Sequence, residues 1–214
     1  MLKKFIKSYN DGKIAFVEKM TDSKEGIYDE LSFLDDGYII SKINRLKKEN
    51  KDIQNQLNML EKYDDDFKNN YAKQQELSNR LKEIRFEIAF LASNNMDNID
   101  SCLDLIKGLN SDFELCLTGL KYYKEGNMES SFDYFYKYFK DKNIILEHYL
   151  INKIYGIIMF NMKQFEISAK LLRKAAEKRP EDLQVHNVLR EIYINTKNEA
   201  GLLAENTIIK LLGT

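Results

Sequence analysis

Proline occurs once and glycine nine times in the 214 residues of this chain. Sheets and sandwiches need many turns, and turns draw on those two residues, so their scarcity points away from β architectures and toward long helices. Cysteine is nearly missing as well. Cys102 and Cys116 are too few for a disulfide scaffold and lack Cys-x-x-Cys spacing, which leaves buried thiols as the simpler reading. No charge of one sign dominates: 33 Lys and Arg stand against 34 Asp and Glu, for a net charge of −1. A balance of that kind provides no whole-surface attraction for duplex DNA or an anionic membrane. Nowhere does the sequence approach the ~18 consecutive apolar residues of a membrane span. The opening Met1-Leu-Lys-Lys-Phe-Ile-Lys carries positive charge without an apolar segment behind it. The expectation is a soluble, cytoplasmic protein. Hydrophobic residues make up 43% of the chain, enough for a buried core rather than disorder.

Three regions differ in pattern: residues 1–37, 38–79 and 80–214. In the first, Leu2–Tyr9 and Lys13–Met20 flank Asn10-Asp11-Gly12, which reads either as a β-hairpin or as two short helices broken at the glycine. Asp22–Gly26 reads as a loop and Ile27–Leu34 as a short helix closed by Asp35-Asp36-Gly37. From Tyr38 to about Ala92 there is neither glycine nor proline, and apolar residues recur at alternating steps of four and three. The seam comprises Ile39, Ile43, Leu46, Asn50, Ile53, Leu57, Leu60, Asp64, Phe67 and Tyr71, the heptad spacing of a coiled coil. It resumes in a shifted phase at Leu77, Leu81, Ile84, Ile88 and Leu91. Asn50 in a seam can fix register and strand number, whereas Asp64 within Asp64-Asp65-Asp66 resists burial. Two geometries follow. One is a single rod of roughly 55 residues, about 80 Å long at 1.5 Å per residue, pairing with a second copy as a homodimer. The other is an intramolecular hairpin turning near Asp64–Asn70. The absence of a turn-forming glycine or proline favours the rod.

In the C-terminal region a small residue, an aromatic three positions on and a glycine four further on appear as Gly119, Tyr122 and Gly126, followed by Ser131, Phe135 and Tyr138. The small residue lets the second helix approach the first, the aromatic fills the space beside it, and the second glycine turns the chain. A second unit carries Tyr155-Gly156, Met159, Phe165, Ser168, Leu172, Ala175 and Pro180. A third opens at Leu183 with Leu189 and Tyr193, but has Arg190 in place of the small residue. A fainter unit lies at about 80–111, with Phe86, Phe90, a turn at Asn94-Asn95, then Ile99, Leu103 and Ile106. This arrangement resembles the tetratricopeptide (TPR) repeat family. The unit around Gly156 matches best because the small residue Ala175 is followed at the family's spacing by the closing Pro180. The resemblance implies an all-α fold, with a right-handed α-solenoid of TPR-like helical hairpins following the coiled-coil helix. About three stacked units are needed to bury a continuous core, and the sequence offers that many.

Gly119 and Gly126 sit in a helical pattern rather than in a phosphate loop. His148 and His186 have only Glu147 or Glu191 nearby as further metal-type ligands, and these read as solvated neighbours. Asp64-Asp65-Asp66 lacks the glycine and distal glutamate of a calcium loop. The basic cluster Lys42, Arg45, Lys47, Lys48 and Lys51 is interleaved with Glu49, Asp52 and Glu61, which a charged outer coiled-coil face explains without nucleic acid. The expectation is a protein without catalytic residues, metal or cofactor.

In TPR proteins the ligand lies in a groove lined by the first helix of each hairpin. Carried over, those positions are Leu81, Ile84, Ile88 and Leu91; then Phe113, Cys116, Leu120 and Tyr123; then Leu150, Lys153, Ile157, Phe160 and Asn161; and last Gln184, Asn187, Glu191 and Ile194. Such a lining lacks the basic clamp that some TPR grooves present to a peptide C-terminus. It is apolar over three units, and long apolar surfaces mark interaction sites. Its occupant is either an amphipathic helix of another protein or the chain itself, through its N-terminal segment or a second copy. The resulting expectation is a protein–protein interaction adaptor or scaffold. A peptide-sensing regulator and an accessory subunit of an enzyme complex are the alternatives.

Overall fold

A computed structural model describes residues 36–62, 67–140 and 146–213 of the chain. The readings over 1–35 and the seam position Asp64 lie outside the described residues, as does the Phe67 side chain. Among the described residues the fold is entirely helical: α1 (Asp36–Lys62), α2 (Phe67–Ala92), α3 (Ile99–Ile106), α4 (Ser111–Lys124), α5 (Met128–Phe139), α6 (Tyr149–Asn161), α7 (Phe165–Lys178), α8 (Leu183–Asn195) and α9 (Glu199–Leu212). They fall into two compact units, one over Asp35–Tyr138 and one containing Phe139–Thr214.

In the first unit, α1 and α2 pack side by side. Lys42 Nζ meets Glu87 Oε1 at 2.7 Å and Arg80 Nη2 meets Glu49 Oε1 at 2.9 Å, so the two helices run antiparallel. The single rod of roughly 55 residues is therefore replaced by the intramolecular hairpin. The physical reason lies in the two seams. The seam shifts phase between α1 and α2, which interrupts a continuous rod, and folding back buries Ile39, Leu46 and Ile53 along with Leu81, Ile84 and Ile88 within one chain. Ile43, Asn50, Leu57 and Leu60 remain half-buried, and Tyr71 is exposed. The Oδ1 of Asn50 is shielded from solvent without a hydrogen-bond partner among the described residues.

α2 ends where its carbonyls are taken up by side chains: Asn94 Nδ2 donates to Phe90 O and Leu91 O, and Asn98 Nδ2 donates to Ala92 O. α3 then packs on α2 and α4 on α3. Phe86, Phe90 and Phe113 form an aromatic cluster with centroids 5.4–6.2 Å apart.

Three hairpins, α4/α5, α6/α7 and α8/α9, are closed by one turn. In each, a residue with positive φ follows the first helix: Gly126 (79°), Lys163 (59°) and Lys197 (53°). Its N–H donates three residues back, to Tyr123, Phe160 or Ile194. The next N–H donates five residues back, from Asn127 to Tyr122, Gln164 to Met159 and Asn198 to Tyr193, each at 2.9 Å. These paired bonds satisfy carbonyls that the helix end would otherwise leave open. The helices begin with equal economy. Asn110, Asn127, Asp182 and Asn198 each accept a backbone N–H of the first turn, an arrangement worth about 1 kcal/mol per cap.

Seven residues upstream of each positive-φ residue stand Gly119, Gly156 and Arg190. A Cβ on Gly119 would lie 3.1 Å from the Phe135 ring, and one on Gly156 would lie 2.7 Å from Leu172 Cγ. The buried hydroxyls of Ser131 and Ser168 donate to the Gly119 and Gly156 carbonyls at 2.8 and 2.7 Å. In the third hairpin the close approach is kept by Gly201 on the second helix, where a Cβ would fall 2.8 Å from the Tyr193 ring.

Candidate interaction surface

The first-helix positions named as a groove divide sharply. On α2, Leu81, Ile84, Ile88 and Leu91 are buried; on α4, Phe113, Cys116 and Leu120 are buried and Tyr123 is half-buried. These side chains form the core of the first unit and do not line an open surface, which corrects the reading of an apolar groove over three units. On α2 the cause is α1, which lies along it, whereas α4 packs on α3 and sets Phe113 against Phe86 and Phe90 of α2. Of the repeat-packing residues, Gly119, Gly156, Ala175 and Pro180 are buried, Tyr122 is half-buried against Tyr134, and Gly126 is exposed at its turn.

In the second unit the same positions are more open. Leu150 is buried, but Lys153, Ile157 and Phe160 are half-buried and Asn161 is exposed. Beside them, α8 presents exposed Gln184 and Ile194 and half-buried Asn187 and Glu191. α6 and α8 touch, so these residues make one mixed face of apolar and amide groups.

One end of that face is pinned by a polar cluster. Asp182 caps α8, accepts a hydrogen bond from the Tyr149 hydroxyl and pairs with Lys153 Nζ at 2.7 Å. The Arg179 guanidinium lies over the Tyr149 ring at 5.1 Å. Burial pushes the Asp182 carboxyl up, but the hydrogen bonds from Lys153 and Tyr149 outweigh it and hold the group below its ordinary value. The same burial, with the bond to Asp182, raises the Tyr149 hydroxyl. Chemically this is an interhelical tie: α6 supplies Tyr149 and Lys153, and the start of α8 supplies the acceptor.

The sequence reading missed a second buried cluster. His186 on α8 and Glu205 on α9 are each 1% exposed, with Nδ1 2.7 Å from Oε2, and His186 Nε2 donates to the Pro180 carbonyl at 3.0 Å. A signal was present: Glu205 stands between Gly201 and Ile208 at the spacing of the inward face of α9. A carboxylate there needs a buried partner. His148 is also buried, and its Nδ1 accepts the Ile151 N–H at the start of α6. Cys102 and Cys116 are buried free thiols, and burial pushes Cys102 up to about 11.

Among the described residues there is no group of three or more His, Cys, Asp or Glu placed to hold a metal ion, and no helix is long and apolar enough to cross a membrane. No family model, curated protein or solved structure matches the chain.

Proposed function

We propose that this protein is a non-catalytic interaction adaptor built on TPR-like hairpins, which receives an amphipathic helix of another protein on the α6/α8 face. The observation that supports it best is the repetition within the chain. Three hairpins share one closing turn and one close approach between their helices. Repeats of this kind build extended surfaces from stacked first helices, and stacking into a right-handed solenoid belongs to the same reading. With the first-unit positions buried, the docking face narrows to Ile157, Phe160 and Ile194, rimmed by Asn161, Gln184, Asn187 and Glu191. Apolar anchors at helical spacing within an amide rim suit a helix that buries one stripe and hydrogen-bonds along its edges.

The test is co-purification of the full chain from its native host, wild type beside Ile194→Asp. Ile194 is 48% exposed, so the substitution leaves the core intact. A partner retained by the wild type and lost by the variant, at unchanged helicity and melting temperature, is the expected result. An identical set of bound proteins for both forms would overturn the assignment of this face.

A further inference from the structure

The α6/α8 face fits one kind of occupant. On α6, Ile157 and Phe160 are half-buried; on α8, Leu183 and Ile194 are 42% and 48% exposed, with half-buried Asn187 between them. Leu183, Asn187 and Ile194 stand four and seven positions apart, so they share one side of α8, and α6 touches α8. An apolar strip one helix wide between amides matches a short helix with a single apolar side.

The sequence ahead of α1 contains such a stripe. At helix spacing Leu2, Phe5, Ile6 and Tyr9 fall on one side, and Lys3, Lys4 and Lys7 fall on the other. At strand spacing the same residues do not separate: Leu2, Lys4 and Ile6 share one side, and Lys3, Phe5, Lys7 and Tyr9 share the other. Residues 10–35 link the stripe to α1 and, at about 3.3 Å per residue, span up to roughly 85 Å. A compact chain of this length has a radius of gyration of about 17 Å, so the stripe can reach any of its faces.

Resting on the reading of that face as a helix-receiving surface, we infer that residues 2–9 of this same chain occupy it, and that a partner helix binds by displacing them. The tether favours this occupant over others. A segment held by a link of this length meets its site at an effective concentration of about 1 mM. An intrinsic dissociation constant of ~50 μM then keeps the face about 95% filled. An external helix of equal intrinsic strength binds about twentyfold more weakly than it would to an open face. A second copy of the chain or an unrelated protein gains nothing from the tether. The segment thus sets a threshold: only a partner that is stronger or abundant takes the face.

Titration of a fluorescein-labelled peptide with the sequence of residues 1–12 into the full chain tests it. The wild type should bind the peptide about tenfold or more weakly than Phe5→Asp with Ile6→Asp, whose own segment no longer fills the face, at unchanged circular dichroism. Tyr9→Asp, a milder change, should fall between the two. Adding Ile194→Asp to the double variant should abolish binding. Equal binding by wild type and double variant, still lost with Ile194→Asp, overturns the inference and leaves the face a receiver of other helices. Binding that survives Ile194→Asp puts the segment elsewhere and also overturns it. So does a peptide that neither form binds; co-purification that still depends on Ile194 then shows that the face itself stands.

Discussion

In the hairpin α6/α7 the small residue stands on the first helix, Gly156, and the large one, Leu172, on the second. In α8/α9 the order is reversed: Tyr193 is on the first helix and Gly201 on the second. Both pairs share the same closing turn and the same near-contact, with a virtual Cβ at 2.7 Å from Leu172 in one and 2.8 Å from Tyr193 in the other. Two helices need a missing side chain at their crossing, and the packing is indifferent to which helix supplies it. Arg190, in the place of Gly156, is half-buried and pairs with Glu191 at 3.1 Å, while the close approach is made at Tyr193. The reversal also changes what the core contains. α7 meets its partner with Leu171 and Leu172, whereas α9 presents Glu205, which draws His186 and the Pro180 carbonyl into a buried polar cluster.

The largest effect separating the two hairpins should come from that cluster. Glu205→Ala leaves His186 buried without its carboxylate and should cost about 3–5 kcal/mol, whereas His186→Leu with Glu205→Leu should fall much closer to wild type. Urea unfolding of the single and double variants checks this. Gly156→Ala comes next. Its methyl group meets Leu172 Cγ in a fully buried site, so a loss of about 1–3 kcal/mol is expected, while Leu172→Ala added to it should recover less than it removes in packing.

The turns provide a smaller contrast of opposite sign. Lys163 and Lys197 occupy the left-handed conformation that Gly126 adopts without strain. Lys163→Gly and Lys197→Gly should each stabilise the chain by roughly 0.5–1 kcal/mol, and Gly126→Ala should destabilise it by about the same amount, read as shifts in urea midpoint.

Last is the tie between the hairpins. The Asp182 carboxyl is held below its ordinary value, so its contribution is present above the unfolded value of about 3.9 and is lost as pH falls through the lower folded value. Asp182→Asn should remove this part of the acid dependence of the melting temperature; an unchanged acid limb would show that the tie contributes nothing.

The helical class was legible from one proline and nine glycines, because few residues were left to make turns. The turn at Asn94-Asn95 was legible from its amides: Asn94 caps the end of α2, and Asn95 accepts the Asp97 N–H. The fold-back of α1 on α2 was not legible. It depends on the partner available to each seam, and the heptad spacing reads the same whether the partner is another chain or the next helix. The burial of Leu81 to Leu91 was hidden for the same reason: a face suited to a ligand is equally suited to α1. Gly201 was not legible because the third unit is read from its first helix, at Leu189, Arg190 and Tyr193, and His186 with Glu205 because their contact joins separate helices 19 positions apart.

The unfolding free energy of Gly201→Ala tests the reversal most directly. Alanine in place of glycine within an exposed helix gains about 1 kcal/mol, and that gain is what Gly201→Ala should show if the residue has no packing role. With Tyr193 seated against it, the added methyl should instead cost about 1–3 kcal/mol, matching Gly156→Ala. A stabilised Gly201→Ala variant would contradict the equivalence of the two hairpins.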